Sequence, residues 1–320
     1  MSEEFVRLSI ILSGFIIGAS LGSFAKALAD RSLKDKSFRG RSYCVKCQHP
    51  LNWYDLFPVF SYILLKGKCR YCHKRIGIEY LIIEVLTGVL VGFLFWQQFN
   101  NFQFSVFNLN SNFKFQILNF QIIQILADLL FKTFFITVLI ALFLTDLKKM
   151  FIPDRIVIPS IWITLTFLLA LTIYKIGFLY YALLQTSLGQ LLLPPHSDYF
   201  QRHALMLAQP LFAGVLMAVL IGGFFTLLII ITRGKGMGGG DVKLGALMGA
   251  SLGFPNSILA LMMAFFSGAV LSLLLILIRR KNFKSVVPFG PFLVLGSLIA
   301  LFWGDQLIDW YLNFSFKLGS

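Results

Sequence analysis

Long apolar stretches near residues 8–29, 79–96, 123–145, 156–174, 211–232, 256–278 and 288–304 confine this chain to a membrane fold. An α-helix rises about 1.5 Å per residue, so roughly 20 apolar residues cross a hydrocarbon core about 30 Å thick. Inside that core backbone polar groups must be satisfied by the protein itself, which favours continuous helices. An eighth stretch, 242–254, is short and stops at Phe254-Pro255. With 58% hydrophobic and 13% charged residues, the 320-residue chain is excluded from the ordinary soluble class. The expected fold is an all-α polytopic membrane protein with about eight transmembrane helices. The start, MSEEFVRL, carries Glu3 and Glu4 instead of a basic cluster, so the first stretch reads as an uncleaved helix and not as a secretory signal.

Basic residues orient these helices. If segment 30–78 is cytosolic, then 146–155, 233–243 and 279–287 are cytosolic too, and the four together hold 21 Lys and Arg against five on the opposite side. Positive residues stay inside, so both termini are expected outside. The net charge of +14 then reflects topology and contact with the anionic bilayer, with no nucleic-acid partner implied.

Acids are scarce, 14 Asp and Glu in all, and two stand where apolar spans meet basic turns: Asp146 in TDLKKMFIPD (145–154) and Asp241 in GMGGGDVK (236–243). Ionisable groups at a membrane edge are costly and mark function. Two crossings separate them, so both are expected on the cytosolic side. Two close aspartates share a proton, one activating water while the other protonates the carbonyl oxygen or the leaving amine. Asp241 also reads as a helix N-cap before 242–254. The preceding Gly238, Gly239 and Gly240 are expected to permit close backbone approach and positive φ, as an extended substrate needs. A helix beginning after Asp241 and starting from the outer face would set that residue below the inner surface. Asp154, following Pro153, reads as an early-turn acid of the next helix, which makes Asp146 the preferred partner. Glu84, inside the second span, reads as pairing with a basic loop residue, or as a contact for a basic peptide or an acceptor amine. Asp128 and Lys132, four apart, are expected to pair with each other.

All four cysteines fall in one loop, Cys44-x2-Cys47 and Cys69-x2-Cys72. Two such knuckles suit a tetrahedral zinc site, and a metal would compensate for the thin apolar core of a loop this size. A cytosolic loop argues against disulfides. His49 and His73 are alternative ligands, whereas His196 and His203 lack neighbours for a site. The organisation expected is a first helix (1–29), a cytosolic zinc-ribbon-like insertion (30–78) and a membrane domain (79–320).

GSFAKALADR (22–31), the cysteine loop with the following helix (42–88), TDLKKMFIPDRI (145–156), RGKGMGGGDVKL (233–244) and VPFGPFLVLG (287–296) together resemble the prepilin peptidases. These form the type IV leader peptidase family of membrane aspartyl proteases with a GxGD motif. The resemblance implies Asp146 and Asp241 as the catalytic pair and the four cysteines as metal ligands. It implies removal of a short basic leader from prepilins or pseudopilins at the cytosolic face of the bacterial inner membrane. It further implies N-methylation of the new amino terminus with S-adenosylmethionine. The cysteine loop contains no G-x-G-x-x-G fingerprint to mark a place for that donor. Lys26 stands where the family usually has Asn, and CVKC lacks the usual Pro after the first Cys. The outside segments 100–121 and 179–210 read as excursions or interfacial helices. The competing class is a transporter or channel with a zinc-stabilised module, which would spread polar groups along a path instead of gathering them on one side. A preflagellin-type peptidase is a further alternative, disfavoured by the cysteine loop.

Overall fold

The computed structural model describes residues 3–38, 40–106, 114–185, 187–234, 237–278 and 288–319. The basic turn 279–287, the middle of the first outside segment (107–113) and Lys235–Gly236 lie outside the described residues. Among the described residues ten α-helices follow in order: α1 (Glu3–Ser32), α2 (Phe60–Leu64), α3 (Ile78–Val106), α4 (Lys114–Lys149), α5 (Asp154–Leu184), α6 (Ser187–Leu191), α7 (Tyr199–Ile231), α8 (Gly239–Leu252), α9 (Asn256–Leu277) and α10 (Gly290–Gly319). Seven of them (α1, α3, α4, α5, α7, α9 and α10) are long and apolar enough to cross a membrane. The eighth stretch is α8, whose 14 residues rise only about 21 Å.

The helices outrun the apolar stretches that announce them. α5 continues to Leu184 and α7 begins at Tyr199, so most of segment 179–210 is helix. Its aromatic and helix-forming residues continue the backbone ladder after the hydrophobic run has ended. A 30-residue helix is about 45 Å long, more than a hydrocarbon core requires.

The chain divides into two compact units, residues 1–156 and 157–320. In the first, α1 packs along α3 and both pack on α4. The approach of α1 to α3 is close because Gly14, Gly18 and Gly22 form a stripe on α1, met by Gly88 and Gly92 on α3. A Cβ at Gly18 would lie 2.6 Å from the Thr87 carbonyl oxygen, and one at Gly88 would lie 2.8 Å from the Phe15 ring. Small residues let helix backbones approach in this way within membranes. In the second unit α8 packs on α7 and contacts α9 and α10. A Cβ at Gly245 would meet the Phe225 ring at 2.6 Å, and one at Gly249 would meet the Met217 carbonyl oxygen at 2.5 Å. Small residues on α8 thus allow a short helix to be buried among long ones, with Leu244, Leu247 and Met248 almost fully enclosed.

Candidate functional site

Asp146 lies in the last turn of α4 and is 6% exposed. The helix ends because Met150 turns to φ 50°, its N–H donating to the Asp146 carbonyl at 2.8 Å, and Pro153 then blocks continuation. Asp154 is exposed and opens α5, as expected of an early-turn acid. Asp241 is 9% exposed on α8.

α8 begins at Gly239, two residues before Asp241, with Gly238 as its N-cap. Asp241 is therefore inside the first turn, and its Oδ2 accepts the Gly238 N–H at 3.3 Å. With the helix starting this early, Asp241 is not set below the inner surface by a short helix that begins after it. The three glycines also differ from expectation. Gly238 is extended (φ −90°, ψ 154°), while Gly239 and Gly240 open the helix, so none takes positive φ; that conformation occurs earlier, at Gly234. A Cβ at Gly239 would meet nothing within 4 Å, so the backbone there is open to approach. The ordinary helical backbone that follows an extended N-cap needs no left-handed residue.

The cysteines are brought together. Their four Sγ atoms all lie within 4.8 Å of one another. A tetrahedron with Zn–S bonds of about 2.3 Å requires S···S separations of about 3.8 Å, so the cluster fits zinc with small adjustments. Each knuckle is built alike. In the first, Cys44 N–H donates to the His49 carbonyl and Gln48 N–H to the Cys44 carbonyl; in the second, Cys69 N–H donates to Lys74 and His73 N–H to Cys69. Gln48 and His73, each directly after a second cysteine, both take positive φ. Burial pushes the Cys44 thiol up, but the Cys47 and Lys46 N–H groups outweigh it and bring it to about 7. The His49 N–H lowers the Cys47 thiol, yet desolvation and the neighbouring Cys44 and Cys72 sulfurs prevail and raise it to about 11. Four thiols this close cannot all ionise alone, and a dication removes the conflict. His49 and His73 stand outside the cluster, and His49 stacks against Tyr71 at 3.8 Å. Near the knuckles Asp55 pins a 3-10 turn at Trp53–Leu56, accepting from Arg70 Nε at 2.8 Å and the Tyr71 hydroxyl at 3.0 Å. Desolvation, and then that contact, push the Tyr71 hydroxyl up to about 12.

One further acid joins the module to the helices, and two more tie the helices to one another. Glu84 is 9% exposed and accepts the Val59 N–H at 2.8 Å. It does not pair with a basic loop residue as expected, because the chain before α2 presents a backbone donor to it first. Lys26 is buried in α1, 2.8 Å from Asp30 and 3.2 Å from Glu79, and Lys148 of α4 reaches the same two acids at 3.2 and 3.1 Å. The Tyr80 hydroxyl donates to Asp30 at 3.0 Å. Sequence reading missed this four-charge cluster, of which only Lys26 and Asp30, four apart on α1, carried a local signal. Asp128 and Lys132 pair at 2.8 Å, as their spacing predicts. Of the remaining histidines, His203 stacks on Tyr199 at 3.8 Å, and the cysteines form the only candidate metal group among the described residues.

Comparison with known proteins agrees with this arrangement. Residues 16–98 match the bacterial peptidase A24 N-terminal domain, and residues 133–273 match the type IV leader peptidase family. A protein of Aeromonas salmonicida strain A449 is 30% identical over 275 residues, covering 85% of this chain and 75% of the relative. One from Legionella pneumophila is 28% identical over 282 residues (88% and 79%), and one from Pseudomonas aeruginosa is 27% identical over 274 (86% and 75%). All three are named prepilin leader peptidase/N-methyltransferase. No solved structure matches the chain. With this identity and coverage, the chain belongs to the type IV leader peptidase family.

Proposed function

We propose that this protein is a membrane aspartyl endopeptidase that removes the short basic leader of type IV prepilins or pseudopilins at the cytosolic membrane face, then methylates the new amino terminus. The observation that carries the reading is the burial of Asp146 and Asp241 at helix ends, both inside the region matched by the leader peptidase family, while Asp154 is exposed. The helix macrodipole divides the roles. Asp241, in the first turn of α8, is the carboxylate that takes a proton from water; Asp146, in the last turn of α4, donates a proton to the scissile carbonyl oxygen. As the tetrahedral intermediate collapses, the C–N bond breaks and the leaving amine takes up a proton. The open space beside Gly239 leaves room for an extended substrate backbone.

Methylation moves a methyl group from the sulfonium of S-adenosylmethionine to the amine. The C–S bond breaks, its electrons stay on sulfur, a C–N bond forms, and the amine releases a proton. Cys44, Cys47, Cys69 and Cys72 hold zinc, which organises segment 30–78 and takes no part in cleavage, while 79–320 forms the protease domain. The basic turns face the cytosol, and the molecule resides in the bacterial inner membrane.

The test is leader removal by Asp146→Asn and Asp241→Asn. Each substitution keeps the shape but cannot exchange a proton, so each should abolish cleavage, with membrane insertion intact, while Asp154→Asn remains active. The wild-type rate should follow a bell-shaped pH curve, because the pair shares a proton. Cleavage by the double variant would end the aspartyl reading, and loss in Asp154→Asn with retention in Asp146→Asn would reassign the pair.

A further inference from the structure

A cavity of about 370 Å³ lies within the first unit, enclosed by the last turns of α1, the two cysteine knuckles, α2 and the start of α3. Cavities that hold small-molecule ligands are typically about 300–1,000 Å³. Its polar lining carries both signs of charge. Glu84 is 91% buried on its wall and takes a backbone N–H from Val59, and among the described residues no Lys or Arg pairs with it. The nearby acids of the wall are committed, Asp30 and Glu79 to Lys26 and Lys148, and Asp55 to Arg70. Lys34, Lys74 and Arg75, also on the lining, have no carboxylate partner among the described residues. A buried carboxylate without a cation is costly, and so is complementary to a cationic ligand. The lining also offers the ring of Tyr62, fixed by its hydroxyl bond to the Ile76 carbonyl at 3.4 Å.

The ligand that fits is nucleoside-sized, cationic in one part and carboxylate-bearing in another. We propose that this cavity is the methyl-donor site, with the sulfonium of S-adenosylmethionine set against Glu84 and the donor's carboxylate among Lys34, Lys74 and Arg75. The assignment rests on the methyltransferase reading above. A peptide amine, the other cation of that reaction, would match Glu84 but would leave Lys34, Lys74 and Arg75 unused. Cys44 and Cys69 also line the cavity, so the metal-held knuckles form part of its enclosure.

The experiment measures binding of S-adenosylmethionine and of S-adenosylhomocysteine, its product without the sulfonium charge, to the full chain in detergent. Wild type, Glu84→Gln and Ser61→Trp are compared, the last filling the cavity from α2. Melting temperature and zinc content serve as fold controls. Losing a charge-assisted contact should weaken S-adenosylmethionine binding by Glu84→Gln roughly tenfold or more, with S-adenosylhomocysteine little changed. Ser61→Trp should weaken both. An azido-adenosyl donor should label wild-type peptides within 23–34, 42–62 or 74–84, a readout that holds even where a variant misfolds. Wild-type affinity in both folded variants, or labelling confined elsewhere, would overturn the cavity assignment while leaving methylation in place. A wild-type protein that cleaves but neither binds the donor nor methylates would overturn the assignment and the methyltransferase reading together.

Discussion

Lys26 carries a charge into a helix contact where only 1% of it remains exposed. Its ammonium is tolerable there because Asp30 and Glu79 accept it and the Tyr80 ring lies 4.6 Å away. Lys148 brings α4 to the same acids, so one cluster ties α1, α3 and α4 together. Removing one partner should therefore cost more than removing two. Lys26→Met is expected to lower the melting temperature by several degrees, and adding Glu79→Gln should restore part of the loss. A double-mutant cycle should give a coupling of about 1–3 kcal/mol; zero coupling would make the pair incidental. The sequence showed Lys26 as a departure from its relatives but not its compensation, since Glu79 and Lys148 come from other helices. Asp146, Asp154 and Asp241 were better served by local context, because a helix end, a proline and a glycine run each leave a mark. The glycine run was legible as a feature but misread in conformation: an N-cap followed by helix is an ordinary use of Gly238, Gly239 and Gly240.

Helix existence followed from apolar length, but helix ends did not, since α5 and α7 continue through residues too polar to count as membrane span. The α1–α3 pairing was half visible. Gly14, Gly18 and Gly22 recur every four residues, as do Gly88 and Gly92, and this spacing marks a packing face without naming its partner. The consequence is testable at Gly18, where an added Cβ already collides with α3 backbone and the Val91 side chain. Gly18→Leu should destabilise the first unit by about 1–3 kcal/mol or more, because neither backbone can retreat without opening the α1–α3 interface. Gly177, on α5 with nothing within 4 Å of its would-be Cβ, is the control. A Gly177→Leu protein should melt within a degree or two of wild type. Equal losses at the two positions would mean that the effect is general to leucine in these helices and not a matter of close packing.

The two family regions, 16–98 and 133–273, do not overlap, and the proposed chemistry divides with them. Asp146 and Asp241 lie outside the cysteine loop, on α4 and α8. The loop instead contributes Cys44 and Cys69 to the cavity wall, and its few aliphatic residues give it little core of its own. Sequence spacing revealed four candidate ligands, which the fold brings together, but not that their fold encloses a space, which depends on α1 and α3 closing its other side. Metal removal should therefore separate the two activities. Wild type should hold about one zinc per chain, and chelation, or Cys44→Ser with Cys69→Ser, should release it. Donor binding and methylation should then fall by at least roughly tenfold, as losses in a metal's supporting shell commonly do, while leader cleavage persists, because in the proposed mechanism carboxylates perform it. The mass of the mature amino terminus reads both outcomes in one sample: a cleaved, unmethylated product is expected from the metal-free enzyme. A methylated product at wild-type yield would detach the metal from the cavity, and a parallel loss of cleavage would mean that the module supports the aspartate pair as well.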